Sequence, residues 1–168
     1  MKAIIGDMCY PKSEALIIPS NTKGIMSRGR ASRLLKDGLS GISKEAKRIA
    51  KENKVEVGQC FSTYPGRLNK RGIKKIYHAV IKRLQSDFTS IYNVRETLAT
   101  TLETVCDDDM ESVAICGIGI DPGDLDSKSI AIVIKKVCDK FDDRIIITII
   151  DDDAVFINKI NELLKEES

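Results

Sequence analysis

The stretch Asn21-Thr22-Lys23-Gly24-Ile25-Met26-Ser27-Arg28-Gly29-Arg30-Ala31 joins an apolar run, Ala15-Leu16-Ile17-Ile18, to a helical pattern that continues Ser32-Arg33-Leu34-Leu35-Lys36. The run is wholly apolar, as a strand buried on both faces requires. A glycine-containing loop at a strand's carboxyl end, feeding a helix N-terminus, is where open α/β sheets hold anionic ligands. A second loop of the same make, Cys116-Gly117-Ile118-Gly119-Ile120-Asp121-Pro122-Gly123, follows the strand-like residues 113–116. Two such loops on one sheet predict a single cleft for an elongated, phosphate-bearing ligand.

Outward from these loops, strands and helices alternate. Residues 2–5 read as a first strand and 15–18 as a central one. A helix opens at 31–36, Asp37-Gly38 interrupts it, and Ser43 is expected to cap a second helix over 44–53. Residues 55–63 alternate as a strand does. A basic turn, Pro65 to Gly72, leads to a strand at 73–81, so these two strands suit a hairpin. Thr89 or Ser90 opens a long helix to about residue 106. A helix capped at Asp126-Ser127 runs to about 140, a strand spans 144–150, and a last helix, capped within 151–153, runs through 164. This alternation predicts an α/β fold, a three-layer α/β/α sandwich, and the hairpin makes its central sheet mixed. No boundary, repeat or low-complexity tract divides residues 1–168, so one domain is expected.

Composition narrows the function classes. The chain has 168 residues, 42% apolar and 31% charged, which suits a globular protein and not a disordered one. No run approaches the roughly 20 apolar residues of a membrane span. The N-terminus enters a strand-like run at once, so no signal peptide is evident and a cytoplasmic location is expected. The net charge of +2 gives little general attraction for nucleic acid. The five cysteines are widely spaced and form no C-x-x-C, which reads as reduced, mostly buried thiols. With a single histidine as well, no metal site is expected.

Four segments, in order, carry a resemblance. They are Gly6-Asp7-Met8, the strand and loop from Ala15 to Asn21, Ile76-Tyr77-His78-Ala79-Val80, and Gly117-Ile118-Gly119-Ile120. Together they resemble the macrodomain family over about residues 2–160. The segment from Asn21 to Ala31, with Lys36 beyond it, is most similar to a diverged branch that includes the terminal ADP-ribose protein glycohydrolase and its bacterial antitoxin relatives. The more widespread family pattern differs at Ile18, where it has Asn, at Ser27-Arg28-Gly29, where it has three glycines, and at Ile81-Lys82, where it has Gly-Pro. Hydrolases that hold a catalytic water with that Asn and triple glycine are therefore poor guides here.

The resemblance implies ADP-ribose as ligand, with no cofactor, and an ADP-ribosylated macromolecule or O-acetyl-ADP-ribose as substrate. Its pyrophosphate needs clustered backbone N–H donors. Gly117, Ile118, Gly119 and Ile120 are expected on one side, and Ser27, Arg28 and Gly29 on the other. Asp7, with Met8 beside it, resembles the acid that reads the adenine edge, and Asn21 the residue that meets the distal ribose; both also suit ordinary turns. Lys82 and Asp121 occupy the positions of that glycohydrolase's nucleophilic lysine and catalytic acid. Such a lysine attacks only as the free amine. A lysine at an exposed strand end, and a module that binds ADP-ribose without cleaving it, are the readings beside this one. The cluster Arg67, Lys70, Arg71, Lys74 and Lys75 suits either a solvated hairpin or an RNA or poly(ADP-ribose) surface. His78, flanked by Tyr77 and Ala79 within a strand, reads as structural.

Overall fold

The computed structural model describes residues 1–36 and 40–167. Its elements are β1 (Lys2–Ile5), β2 (Ala15–Asn21), α1 (Gly29–Lys36), α2 (Ser40–Glu52), β3 (Cys60–Thr63), β4 (Lys75–Lys82), α3 (Ile91–Asp107), β5 (Ser112–Ile115), α4 (Ser127–Cys138), β6 (Ile146–Asp151) and α5 (Ala154–Glu166). The strands form a mixed sheet in the order β1-β6-β5-β2-β4-β3. All neighbours are parallel except β3, which pairs antiparallel with β4 and opposes Phe61 to His78.

The side-chain period of two sorts each strand between two cores. In β2, Ala15 and Ile17 face the cluster built with Leu98 and Leu102 of α3, Ile130 and Ile134 of α4, and Phe156 and Ile160 of α5. Leu16 and Ile18 face the other cluster, with Leu34 of α1, and Ile42, Ala46 and Ala50 of α2. All seven residues of β2 are buried, as a strand covered on both faces must be. The result is the expected three-layer α/β/α sandwich.

Helix starts follow their side-chain caps. Ser90 accepts from Asn93 N–H at 3.1 Å, Asp126 from Ser129 N–H at 3.0 Å, and Asp153 from Phe156 N–H at 2.9 Å. Two local expectations are corrected. Ser43 does not cap α2 but lies within it, since the helix starts at Ser40. The expected interruption at Asp37-Gly38 falls outside the described residues. The strand expected over 55–63 begins at Cys60. Lys54 ends α2 in the left-handed region at φ 48°, Val55 N–H returns to Ala50 O at 3.2 Å, and residues 56–59 form a turn. The basic turn is one 3₁₀ segment, Gly66–Arg71. Among the described residues no helix is long and apolar enough to cross a membrane.

Candidate functional site

Because β2, β4, β5 and β6 run parallel, their carboxyl ends share one edge of the sheet. Asn21, Lys82, Gly117 and Asp151 therefore gather there, and the N-terminus of α1 closes over them. Arg30, 4% exposed, is the hub. Its guanidinium forks onto Asp151, Nε to Oδ2 at 2.6 Å and Nη2 to Oδ1 at 2.9 Å. Its Nη1 donates to Asp121 Oδ1 at 2.8 Å, and its backbone N–H donates to the same oxygen at 3.1 Å. Asp151 also accepts from Gly117 N–H at 2.8 Å and Asp153 N–H at 2.9 Å. One buried carboxylate thus ties the first loop, the second loop and the end of β6 together.

The electrostatics follow from that network. Burial alone raises the pKa of Asp151, but the hydrogen bonds and charge of Arg30 outweigh it and hold the carboxyl below its ordinary range. Burial also opposes the charge on Arg30, yet Asp151 and then Asp121 keep it above the usual guanidinium value. Cys116, next to Gly117, is fully buried, and desolvation pushes its thiol well up, so it supplies no thiolate.

The two glycine loops border one cleft of about 320 Å³, lined by Asn21, Arg28, Gly29, Lys82, Phe88 and Asp121 among others. Gly29 needs its glycine: it holds φ 62°, and a Cβ there would run into the Asp121 carboxylate. Ser27 Oγ reaches across to Gln85 Oε1 at 2.8 Å, joining the first loop to the segment after β4. Arg28 is exposed at the rim. Lys82 ends β4, and its Nζ lies 3.0 and 3.2 Å from the Asp124 carboxylate oxygens and 3.3 Å from Asp87 O. Asp121 Oδ2 has no partner among the described residues.

Three expected roles meet a different geometry. The Asn21 amide is engaged inside its own loop: Nδ2 donates to Ile25 O at 2.9 Å, and Oδ1 accepts from Lys23 and Ile25 N–H at 3.1 and 3.2 Å. It shapes the loop and does not present a free amide to a ribose. Gly117 N–H, expected to meet a phosphate, is held by Asp151. Met8 is wholly buried in the core. The remaining N–H groups of the second loop, on Ile118, Gly119 and Ile120, find no acceptor among the described residues. Gly119 sits at φ 88°, and its carbonyl accepts from Leu125 N–H at 2.9 Å. Asp7 lies at the end of β1, beside β6; it is exposed, and its Oδ1 accepts from Cys9 N–H at 2.8 Å. Its other oxygen has no partner among the described residues.

The basic hairpin is largely occupied by its own fold. Lys74 pairs with Glu14 at 2.6 Å, Lys75 with Asp108 at 2.9 Å, and the Arg71 guanidinium lies 3.7 Å over the Tyr10 ring. His78 is fully buried, stacked on Phe61 with ring centroids 4.5 Å apart, and its Nε2 bonds Thr63 Oγ1 at 2.9 Å. Burial drives its pKa down to about 3, so the ring is neutral.

A family model described as "Macro domain" matches residues 17–134. The chain belongs to the macro domain family. Solved structures similar to this macrodomain include the Oceanobacillus iheyensis macrodomain with MES bound, at TM-score 0.84 and 14% identity, covering 98% of this chain and 90% of that one. The macrodomain of Thermus aquaticus DarG is similar at TM-score 0.77 and 18% identity, covering 89% and 97%. Thermosipho africanus DarTG in complex with ADP-ribose is similar at TM-score 0.70 and 20% identity, covering 89% of this chain and 41% of that one. No curated protein sequence matches the chain.

The sequence places Asp151 only within a helix cap and Arg30 only within the stretch that joins β2 to the first helix. The available signal is a carboxylate closing a strand that is apolar but for Thr148, Ile146 to Ile150. A polar residue at a strand's carboxyl end, beside a glycine loop, is where an α/β sheet keeps its ligand-organising groups.

Proposed function

We propose that this macrodomain binds ADP-ribose in the cleft between the two glycine loops and hydrolyses the bond between its distal ribose and a modified macromolecule. The observation that carries the reading is the meeting of Lys82 and Asp121 in the wall of one cleft, with the N–H groups of Ile118 to Ile120, just before Asp121, left without an acceptor among the described residues. Consecutive N–H groups without an acceptor suit a pyrophosphate. Asp7, with one carboxylate oxygen open, suits the adenine amino group. Structural neighbours solved with ADP-ribose are consistent with that ligand.

In the cleavage step, Lys82 Nζ gives up a proton and bonds to C1 of the distal ribose while the bond from C1 to the leaving group breaks. Asp124, already hydrogen-bonded to Nζ, is placed to take that proton. The departing oxygen leaves as a carboxylate, or as an alcohol that takes the proton now held by Asp124. Water then adds at C1, Asp121 Oδ2 accepts its proton, and the amine departs, restoring Lys82. Arg30 fixes Asp121 through Oδ1 and so keeps Oδ2 directed to a single role.

A second reading, an ADP-ribose reader without turnover, draws on the same ion pair, because Asp124 engages the Lys82 amine. Two measurements separate them. Calorimetry with ADP-ribose, ADP and AMP should show tightest binding for ADP-ribose. Release of ADP-ribose from a glutamate-modified protein or a modified DNA end should fall by ~10³-fold or more in Lys82→Ala, with ADP-ribose affinity little changed. Full turnover in that variant would remove the lysine mechanism, and no turnover in the unaltered protein on either substrate would leave the reader.

A further inference from the structure

We infer that an apolar rim of the cleft, formed by Leu84, Phe88, Ile91 and Tyr92, docks the surface of a folded protein whose ADP-ribosylated side chain enters the cleft. This rests on the ADP-ribose reading of the cleft; it adds the partner and the residues that meet it. The rim runs from the end of β4 to the first turn of α3. All four side chains are exposed, Phe88 at 79%. No other nine-residue stretch among the described residues exposes more than three large apolar side chains. Single exposed apolar side chains are ordinary on a protein surface, whereas a cluster of them marks a contact surface.

The rim is held by the backbone beneath it. Leu84 N–H donates to Asp87 Oδ2 at 3.0 Å, and Asp87 N–H donates to Leu84 O at 3.1 Å, which closes a turn. Thr89 Oγ1 then donates to Ile81 O at 2.7 Å and ties the chain back to β4. Ser90 caps α3, fixing the helical turn that carries Ile91 and Tyr92. None of these bonds involves the four apolar side chains, and Phe88 in particular has little to pack against. A surface whose backbone is already ordered loses less entropy on docking.

Position and charge name the occupant. Gln85, Ser86, Asp87 and Phe88 line the cleft together with Lys82 and Asp124, and Asp87 O lies 3.3 Å from Lys82 Nζ. A macromolecule that delivers its ADP-ribosyl group to Lys82 must therefore lay its own surface on this rim. From Leu84 to Val94 there is no cation, and the single charged residue is Asp87. Arg95, just beyond, is paired with Glu96 at 2.9 Å. A nucleic-acid strand would bring phosphates to a surface that offers a carboxylate and no counter-charge. A folded protein brings apolar side chains, and aromatic residues such as Phe88 and Tyr92 are enriched at the centre of protein interfaces.

The test compares free ADP-ribose, a mono-ADP-ribosyltransferase domain auto-modified on glutamate, and a DNA end carrying the same group. Strength is read as KM where ADP-ribose is released and as Kd where it is not. With no charge pattern to match, the rim takes apolar surface whatever its sequence, so one modified protein is a sufficient probe. That protein should bind about tenfold more tightly than free ADP-ribose, and the DNA end should show no such gain. Leu84→Ser/Tyr92→Ser should erase the gain, while ADP-ribose affinity and melting temperature hold, since both side chains are exposed and neither lines the cleft. Leu84→Lys/Tyr92→Lys should weaken the protein complex as much and tighten the DNA complex at low salt. Equal affinity for the modified protein in the first variant and the unaltered chain overturns the rim. So does a gain for the DNA end that the first variant loses. A chain that binds no free ADP-ribose instead overturns the reading of the cleft, a result that a failed rim cannot produce.

Discussion

Lys82 Nζ lies 3.0 Å from Asp124 Oδ2, with their side chains 13% and 3% exposed. A carboxylate so nearly removed from water depends on its partner. Truncating either one leaves the other poorly solvated, so a mutational test of catalysis here is also a test of folding. Asp124→Ala should cost ~1–3 kcal/mol, read from the urea midpoint, and Asp124→Asn less, because the amide still bonds Lys82. Lys82→Gln is the matching control for Lys82→Ala: it keeps a donor to Asp124 but cannot form the adduct, so it should be stable and inactive. Turnover in Lys82→Gln would contradict the nucleophile assignment.

Asp151→Asn should be among the most damaging changes, since it leaves Arg30 with half its charge partners in a buried position. A loss of ~3–5 kcal/mol at neutral pH is expected. The carboxyl of Asp151 titrates below its ordinary 3.8 in the fold. A depressed carboxyl contributes stability that is present above the unfolded value and is lost as pH falls through the folded one. Acid unfolding below about pH 4 should therefore be less steep in the variant than in the unaltered protein.

His78 works in a separate pH window. Its folded pKa is about 3 against an ordinary 6.5, through burial alone. Above 6.5 both states are neutral and nothing is lost. Below it the unfolded chain takes a proton that the folded chain refuses, so stability should fall by up to ~1.4 kcal/mol per pH unit until the folded value is reached. His78→Phe keeps the stack on Phe61 and removes the titration. Denaturant midpoints at pH 7 and pH 5 should converge in the variant, and an unchanged difference would show that other groups carry the acid sensitivity.

Gly29→Ala should lower both stability and turnover. Glycine at φ 62° tolerates no Cβ without strain, and here the Cβ meets the Asp121 carboxylate. About 1–2 kcal/mol of destabilisation is expected from the backbone. The displacement of Asp121 should appear as a fall in kcat larger than the fall in ADP-ribose affinity, measured by release assay and calorimetry.

The layers, the mixed sheet and the family were legible from local pattern. The apolar run Ala15 to Ile18 marked a strand covered on both faces, and Ser90, Asp126 and Asp153 announced three helices by side chains that bond their own first turns. The pairing of the two glycine loops was legible too, because parallel strands place their carboxyl ends together. Less legible was the start of β3, where alternating residues 55–59 read as strand. The left-handed Lys54 and the return of Val55 N–H to α2 override that period, and neither has a sequence signal as strong as a glycine.

Sequence alone determined the order of elements and the family, and it marked the two loops that border the cleft, since these follow from periodicity, turn chemistry and motifs read within short windows. Tertiary structure decided which of those residues are free to act. Asn21 is engaged by its own loop, Gly117 by Asp151 from 34 positions away, and the basic hairpin by Glu14 and Asp108, while Lys47, Lys51 and Lys54 remain open. Whether a charge or an N–H is available depends on partners that arrive from distant parts of the chain, and no local pattern encodes their arrival.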